Sequence, residues 1–178
     1  GTLKVSNIET SSGSGTITLG QSGETVTIAS GVTQTVAVNT PAFQVKKTST
    51  QSISSASFTK LTWDAEDWDT DSAFASDKFT VPSGEAGKYY FQVTTEFANI
   101  DDGEFVQVSF YKNGSYVNGT AGRWYSPGSN DDVRARTNVI LDLSVGDYIE
   151  AYVYQNEGSS QNASQNESFF RGFKLIGT

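Results

Sequence analysis

Carboxylates crowd three stretches of this chain, and their chemistry is the easiest to name. Asp64, Glu66, Asp67, Asp69 and Asp71 fall within WDAEDWDTDSAFASD, Asp101, Asp102 and Glu104 form a second cluster, and Asp131 and Asp132 a third. Loop carboxylates bind calcium where about six to eight hard oxygens converge. Calcium at Asp64, Asp67, Asp69, Asp131 and Asp132 is therefore an expectation, although no EF-hand spacing accompanies them. Solvated loop charge is the competing reading. Paired carboxylates also hydrolyse glycosidic bonds. Here they sit in loops of a small β-rich chain, with no sign of a deep cleft, so the chain reads as non-enzymatic. It has no His and no Cys. A Ser-His-Asp triad, an imidazole or thiolate metal site and a disulfide are thereby excluded.

Recognition chemistry is better represented. Arg123, Trp124 and Tyr125 lie together in the Gly-rich stretch GTAGRWYSPGSNDD. Trp and Tyr stack on sugar rings, and Arg, Trp and Tyr dominate protein-contact hot spots. A receptor contact to a surface glycan or protein is expected there, with Trp68 as a second candidate. The alternative packs Trp124 into the core or an oligomer seam. Sequons begin at Asn113, Asn118, Asn162 and Asn166. The first two are also Asn-Gly turn signals, and chance accounts for the set in a chain this rich in Asn, Ser and Thr.

Strands must position these residues. Residues 1–40 hold no aromatic side chain, and short Thr-rich alternations recur at 16–19, 25–28 and 35–38 with glycines between them. Each reads as a strand too thin to fold alone, which suits a β-stem wound from several chains. A flexible arm is the competing reading, given SSGSG at 11–15. Aromatics begin at Phe43 and stay dense, so a head domain is expected over residues 41–178. Turn signals there recur about every ten residues and predict about eight to ten strands and no helix. In FTVPSGEAGKYYF, residues 79–91, Pro82 and two glycines turn the chain before a long alternating strand. Residues 133–143 place Val133, Ala135, Thr137, Val139, Leu141 and Leu143 on one face. Across 148–154, Ile149, Ala151 and Val153 suit a core face. Tyr148, Tyr152 and Tyr154 then face out around Glu150, an unusual patch unless a partner covers it. They are the expected oligomer interface, the alternative being an inward tyrosine face.

The formal net charge is -8. Such a surface repels phosphate backbones, which argues against nucleic acid. No apolar run is long enough to cross a membrane as a helix, and no secretory leader pattern opens the sequence.

Six segments of residues 41–178, in order, resemble the globular head of complement C-one-q, in the tumour-necrosis-factor-like superfamily. They are PAFQV at 41–45, FTKLTWDAEDWD at 58–69, FTVPSGEAGKYYF at 79–91, YKNG at 111–114, LDLSVGDYIEAYV at 141–153 and FFRGFKLI at 169–176. The second and third depart from the family's spacing by a residue or two. The resemblance implies an all-β fold, an antiparallel jelly-roll sandwich of about ten strands forming a compact homotrimer. It implies no particular ligand. Relatives bind calcium in some cases, so the resemblance adds calcium near the head's apex as an expectation. The opening LKVSNIETSSGSGTITLG resembles N-terminal segments of short fibre and appendage proteins of tailed bacteriophages. Stem and head together imply a trimeric virion protein, exposed on the particle surface. Residues 1–40 would dock on another virion protein, and the head would contact a host surface component. A capsid decoration protein bracing the shell is the first alternative. A secreted C-one-q-like ligand or lectin is the second, disfavoured by the missing leader and cysteines.

Overall fold

The computed structural model describes residues 39–165 and 167–175, together with Ser22, Gly23, Thr25, Thr27 and Ser30. The expected stem over residues 1–40 lies almost wholly outside the described residues. The chain divides into two units, Gly1–Val36 and Ala37–Thr178. Every strand among the described residues belongs to the second. In chain order they are β1 (Ala42–Lys46), β2 (Gln51–Ile53), β3 (Thr59–Lys60), β4 (Ala65–Asp69), β5 (Phe74–Ala75), β6 (Lys78–Thr80) and β7 (Gly87–Ile100). Then follow β8 (Phe105–Lys112), β9 (Ser115–Tyr116), β10 (Gly122–Tyr125), β11 (Asp131–Leu143), β12 (Tyr148–Gln155), β13 (Gln161–Ala163) and β14 (Phe169–Lys174).

Two antiparallel sheets result. The first is built on β7, which pairs with β11 along one edge and with β14 and then β13 along the other. From β14 the sheet continues through β1 to β4, and from β13 to β2. The second runs β10-β8-β12-β6-β5, with β3 on β12 and β9 on β8. Strict alternation makes this a sandwich. Along β7, Tyr89, Phe91, Val93, Thr95 and Phe97 are fully buried, as are Ile149, Ala151 and Val153 of β12 and Val106, Val108 and Phe110 of β8. Phe170 of β14 sits at the centre of the core, with ring centroids 4.9 Å from Phe43, 5.8 Å from Phe110 and 6.0 Å from Trp63. Two positions along from it, Gly172 leaves room for a neighbour: a Cβ there would lie 2.5 Å from the Phe91 ring.

The long strands match the sequence pattern, and β11 exposes Arg134, Arg136, Asn138, Ile140 and Asp142 while turning the alternate residues inward. The short ones depart from it. The acidic stretch after Trp63, expected as loop, contains β4, because β1 offers it a free edge to pair with. Of residues 57–63 only Thr59–Lys60 form a strand, β3. The Gly-rich stretch holding Arg123, Trp124 and Tyr125 is not loop but β10, paired with β8 over Gly122–Tyr125. Short pairings of this kind raise the strand number among the described residues to fourteen.

One buried charge lies near the first sheet's edge. Lys47 is 1% exposed, and its Nζ donates to the Thr62 carbonyl at 2.8 Å and to Gln51 Oε1 at 3.3 Å. Burial pulls its pKa below the usual lysine range, against the opposing pull of Asp64 and Asp77.

Candidate functional site

The candidate residues fall on two opposite outer faces. On the first sheet, register places Ala42, Phe173, Tyr90 and Ile140 in one outward row. Trp68, Gln44, Arg171, Gln92 and Asn138 form the next. Tyr90 and Phe173 pack with centroids 5.4 Å apart, while Ile140 is 58% and Trp68 44% exposed. A cleft of about 320 Å³ opens among Gln44, Trp68, Tyr90, Gln92, Arg171 and Phe173. Trp68 thus forms the wall of a hydrophobic cleft.

Strand alternation also separates Trp124 from its neighbours. Arg123 and Tyr125 point to the outer face of the second sheet, opposite Gln107 and Phe105. Trp124 turns the other way, over the sandwich edge toward β11. There the Arg136 guanidinium lies 5.3 Å from its ring centroid, a cation–π contact. Gly122 permits this closeness: a Cβ on it would sit 2.0 Å from the Arg136 carbonyl oxygen. Trp124 remains 42% exposed and divides two clefts. One, of about 450 Å³, is lined by Gln92, Arg136, Thr137 and Asn138. The other, of about 430 Å³, is lined by Tyr125, Pro127, Asp132, Val133 and Arg134.

The outer face of the second sheet carries Tyr148, Tyr152 and Tyr154, pointing outward as the sequence pattern requires. Their own neighbours already half-bury them. Tyr152 stacks on Tyr111 at 3.9 Å, and Tyr111 meets Tyr116 at 5.8 Å. Tyr154 lies 5.0 Å from Phe58 and 5.6 Å from Phe105, which is 5.3 Å from Tyr125. Lys78 Nζ stands 4.4 Å over the Tyr148 ring, and the Arg123 guanidinium 4.1 Å over Phe105. Gln107 Oε1 accepts from Arg123 Nε at 3.1 Å and from Nη2 at 2.8 Å. Burial pushes the Tyr111 and Tyr152 hydroxyls above their usual range, helped by nearby ionisable groups.

The proposed calcium residues are dispersed. Asp64 accepts from the Thr48 amide at 2.5 Å and from the Thr48 and Ser49 hydroxyls. Burial pushes it up, but those bonds and the Lys47 charge prevail and hold it at about 2. Asp67 is engaged by Lys46 and by Gln44. Asp69 accepts from the Phe74 amide at 2.8 Å, and its other oxygen is buried without a partner. Asp131 and Asp132 begin β11, on a different stretch. Among the described residues no three Asp, Glu, His or Cys side chains gather into a metal-binding group.

Sequence reasoning missed Tyr90, Phe173 and Ile140, and also Phe58, Phe105 and Gln107. The doubled Tyr89-Tyr90 carried a signal, because in a strand one of two adjacent aromatics must face outward.

No family model matches the chain, and no curated protein matches it. Solved structures do. The globular domain of a zebrafish complement 1qA protein superposes with a TM-score of 0.56 at 16% identity, covering 76% of this chain and 98% of that one. The Eiger TNF of S. frugiperda gives 0.57 at 14% identity, covering 77% and 93%. Murine APRIL at pH 5.0 gives 0.56 at 14% identity, covering 75% and 98%. The fold is the jelly roll of complement C-one-q and tumour-necrosis-factor heads. At these identities the likeness is one of fold.

Proposed function

We propose that this chain is a non-enzymatic, homotrimeric recognition module whose head contacts a surface component of another cell. The observation that carries the trimer is the outer face of the first sheet. It offers an exposed apolar cleft between Trp68, Tyr90 and Phe173, while Trp124 projects from a different edge of the same head. A cleft and a projecting ring on one molecule suit a head-to-tail contact between copies, and such a contact closes into a ring when the rotation relating the copies closes. Burying Ile140 and Trp68 of that face and Trp124 of the edge between copies removes large exposed apolar side chains from water. The tyrosine face, expected to be the interface, has less need of a second copy because its rings already cover one another.

The module's place is a short fibre or appendage of a bacteriophage virion, with residues 1–40 docking on another virion protein. That reading is supported by the opening segment's resemblance to phage stems. A secreted ligand domain is the second reading, favoured by the complement and TNF-type heads that share the fold.

Light scattering on the full chain tests the assembly. The expected mass is three times the 19.2 kDa of one chain, and Ile140→Glu or Tyr90→Glu should reduce it to that of one chain. A wild-type monomer overturns the trimer. Antibodies to the head should label the tails of phage particles. Labelled capsid shells would favour decoration, and unlabelled particles would leave the secreted reading.

A further inference from the structure

The outer face of the second sheet combines aromatic rings with two cations, Arg123 and Lys78, that meet no carboxylate among the described residues. Phe58, just before β3, and Tyr154, Phe105 and Tyr125 of β12, β8 and β10 follow one another, with neighbouring centroids 5.0, 5.6 and 5.3 Å apart. Adjacent strands lie about 4.8 Å apart, so the row crosses the sheet as a band of roughly 15 Å. Its two ends are open, with Phe58 45% and Tyr125 56% exposed.

The charges on this face are arranged differently from those elsewhere. Lys46, Lys60, Lys112, Arg134 and Lys174 each meet a carboxylate. Among the described residues Arg123 does not: its bonded neighbours are Gln107 Oε1 and the Tyr125 hydroxyl, both neutral. Lys78 rests on the Tyr148 ring with no carboxylate within ion-pair distance among the described residues. Of the outward positions on β3, β6, β8, β10 and β12, only Glu150 is acidic, and it is 8% exposed and tied to Lys60 at 3.2 Å. In a chain with a net charge of -8, the exposed charges at the outward positions of these strands are thus positive. The Gln107 carbonyl holds the Arg123 fork in place before any partner arrives, which lowers the ordering cost of using it.

We infer that this face binds an acidic glycan, with sugar rings packed along the Phe58–Tyr125 band and an acidic group held by Arg123. Aromatic side chains supply apolar area with little rotamer entropy to lose, and a guanidinium adds charge-assisted hydrogen bonds to a carboxylate or sulfate. The inference rests on the head being a recognition module. It assigns Tyr154 to the partner rather than to the trimer.

The test is calorimetric titration of the full chain with tetragalacturonate, sialyllactose and a heparin tetrasaccharide. Maltotetraose and tetraglutamate serve as comparisons. At least one acidic glycan should bind, and Arg123→Gln should weaken it about tenfold, the scale of one lost charge-assisted bond. Phe58→Ala and Lys78→Gln should weaken it by smaller factors, with the melting temperature within about 3 °C of wild type and the solution mass unchanged. The inference is overturned if none of the three acidic glycans binds, if Arg123→Gln and Phe58→Ala bind as wild type does, or if tetraglutamate binds equally well. A trimer that instead takes a neutral sugar at the Trp124 edge keeps the recognition reading and loses only this one. A monomer that binds acidic glycan through Arg123 keeps this one and loses the trimer.

Discussion

Replacing Gly122 by Ala probes the contact on which the Trp124 edge depends. The added methyl would start 2.0 Å from the Arg136 carbonyl oxygen and 2.9 Å from the Thr137 Cβ, whereas ordinary contacts begin near 3.4 Å. Strand and methyl must therefore separate by about 1.4 Å at the tightest point. β11 cannot give easily, because it is laddered to β7 from Asp131 to Leu143. β10 is held to β8 over only Gly122–Tyr125, so it is the element that moves. Overpacking against backbone costs about 2 kcal/mol, and a head of this size loses roughly 3 °C per kcal/mol, so the melting temperature should fall by about 6 °C. The same shift carries Trp124 off Arg136. Thermal unfolding by circular dichroism at fixed protein concentration reads the first effect. The Trp124 indole resonance, assigned with Trp124→Phe, reads the second. A melting temperature within about 1 °C of wild type, together with an unmoved indole resonance, would refute the close approach of β10 to β11.

Phe170→Ala removes the ring that Phe43, Phe110 and Trp63 surround, and should cost about 4 kcal/mol in urea unfolding. Phe58→Ala, at a 45% exposed position, should cost under about 1 kcal/mol. Equal losses in the two would mean that the core centre has been misplaced. Acidification should destabilise the head through Asp147 and Asp64. Bonds from Lys112, Asn113 and the Ser144 amide hold Asp147 at about 2, and Asp64 also sits at about 2, both below the usual 3.8. Depressed carboxylates stabilise fully above the unfolded value, and this contribution fades as pH falls from about 4 to about 2. The melting temperature should drop across that window, and Asp147→Asn should shrink the drop. An undiminished drop in Asp147→Asn would remove Asp147 from the account.

Much of the framework was legible in the chain itself. The alternation along residues 89–97, 133–143 and 148–154 identified the long strands and their inward faces, because side-chain direction in a strand follows from backbone geometry alone. The outward direction of Tyr148, Tyr152 and Tyr154 followed for the same reason, as did the exclusion of His- and Cys-based chemistry. Pairing between distant segments decided the rest. β4 and β10 are strands because β1 and β8 present edges to them. Once β10 is a strand, Arg123 and Trp124 must diverge to opposite sides, although they are adjacent in sequence. The acidic residues likewise fail to converge, since Asp67 is drawn to Lys46 and Gln44, and Asp64 to Thr48 and Ser49. Tyr90 gained significance only when β14 placed Phe173 beside it and β11 placed Ile140 in the same row. Periodicity along one strand fixes which way a side chain points. Only the register between strands fixes what it meets, and binding surfaces are made of what meets.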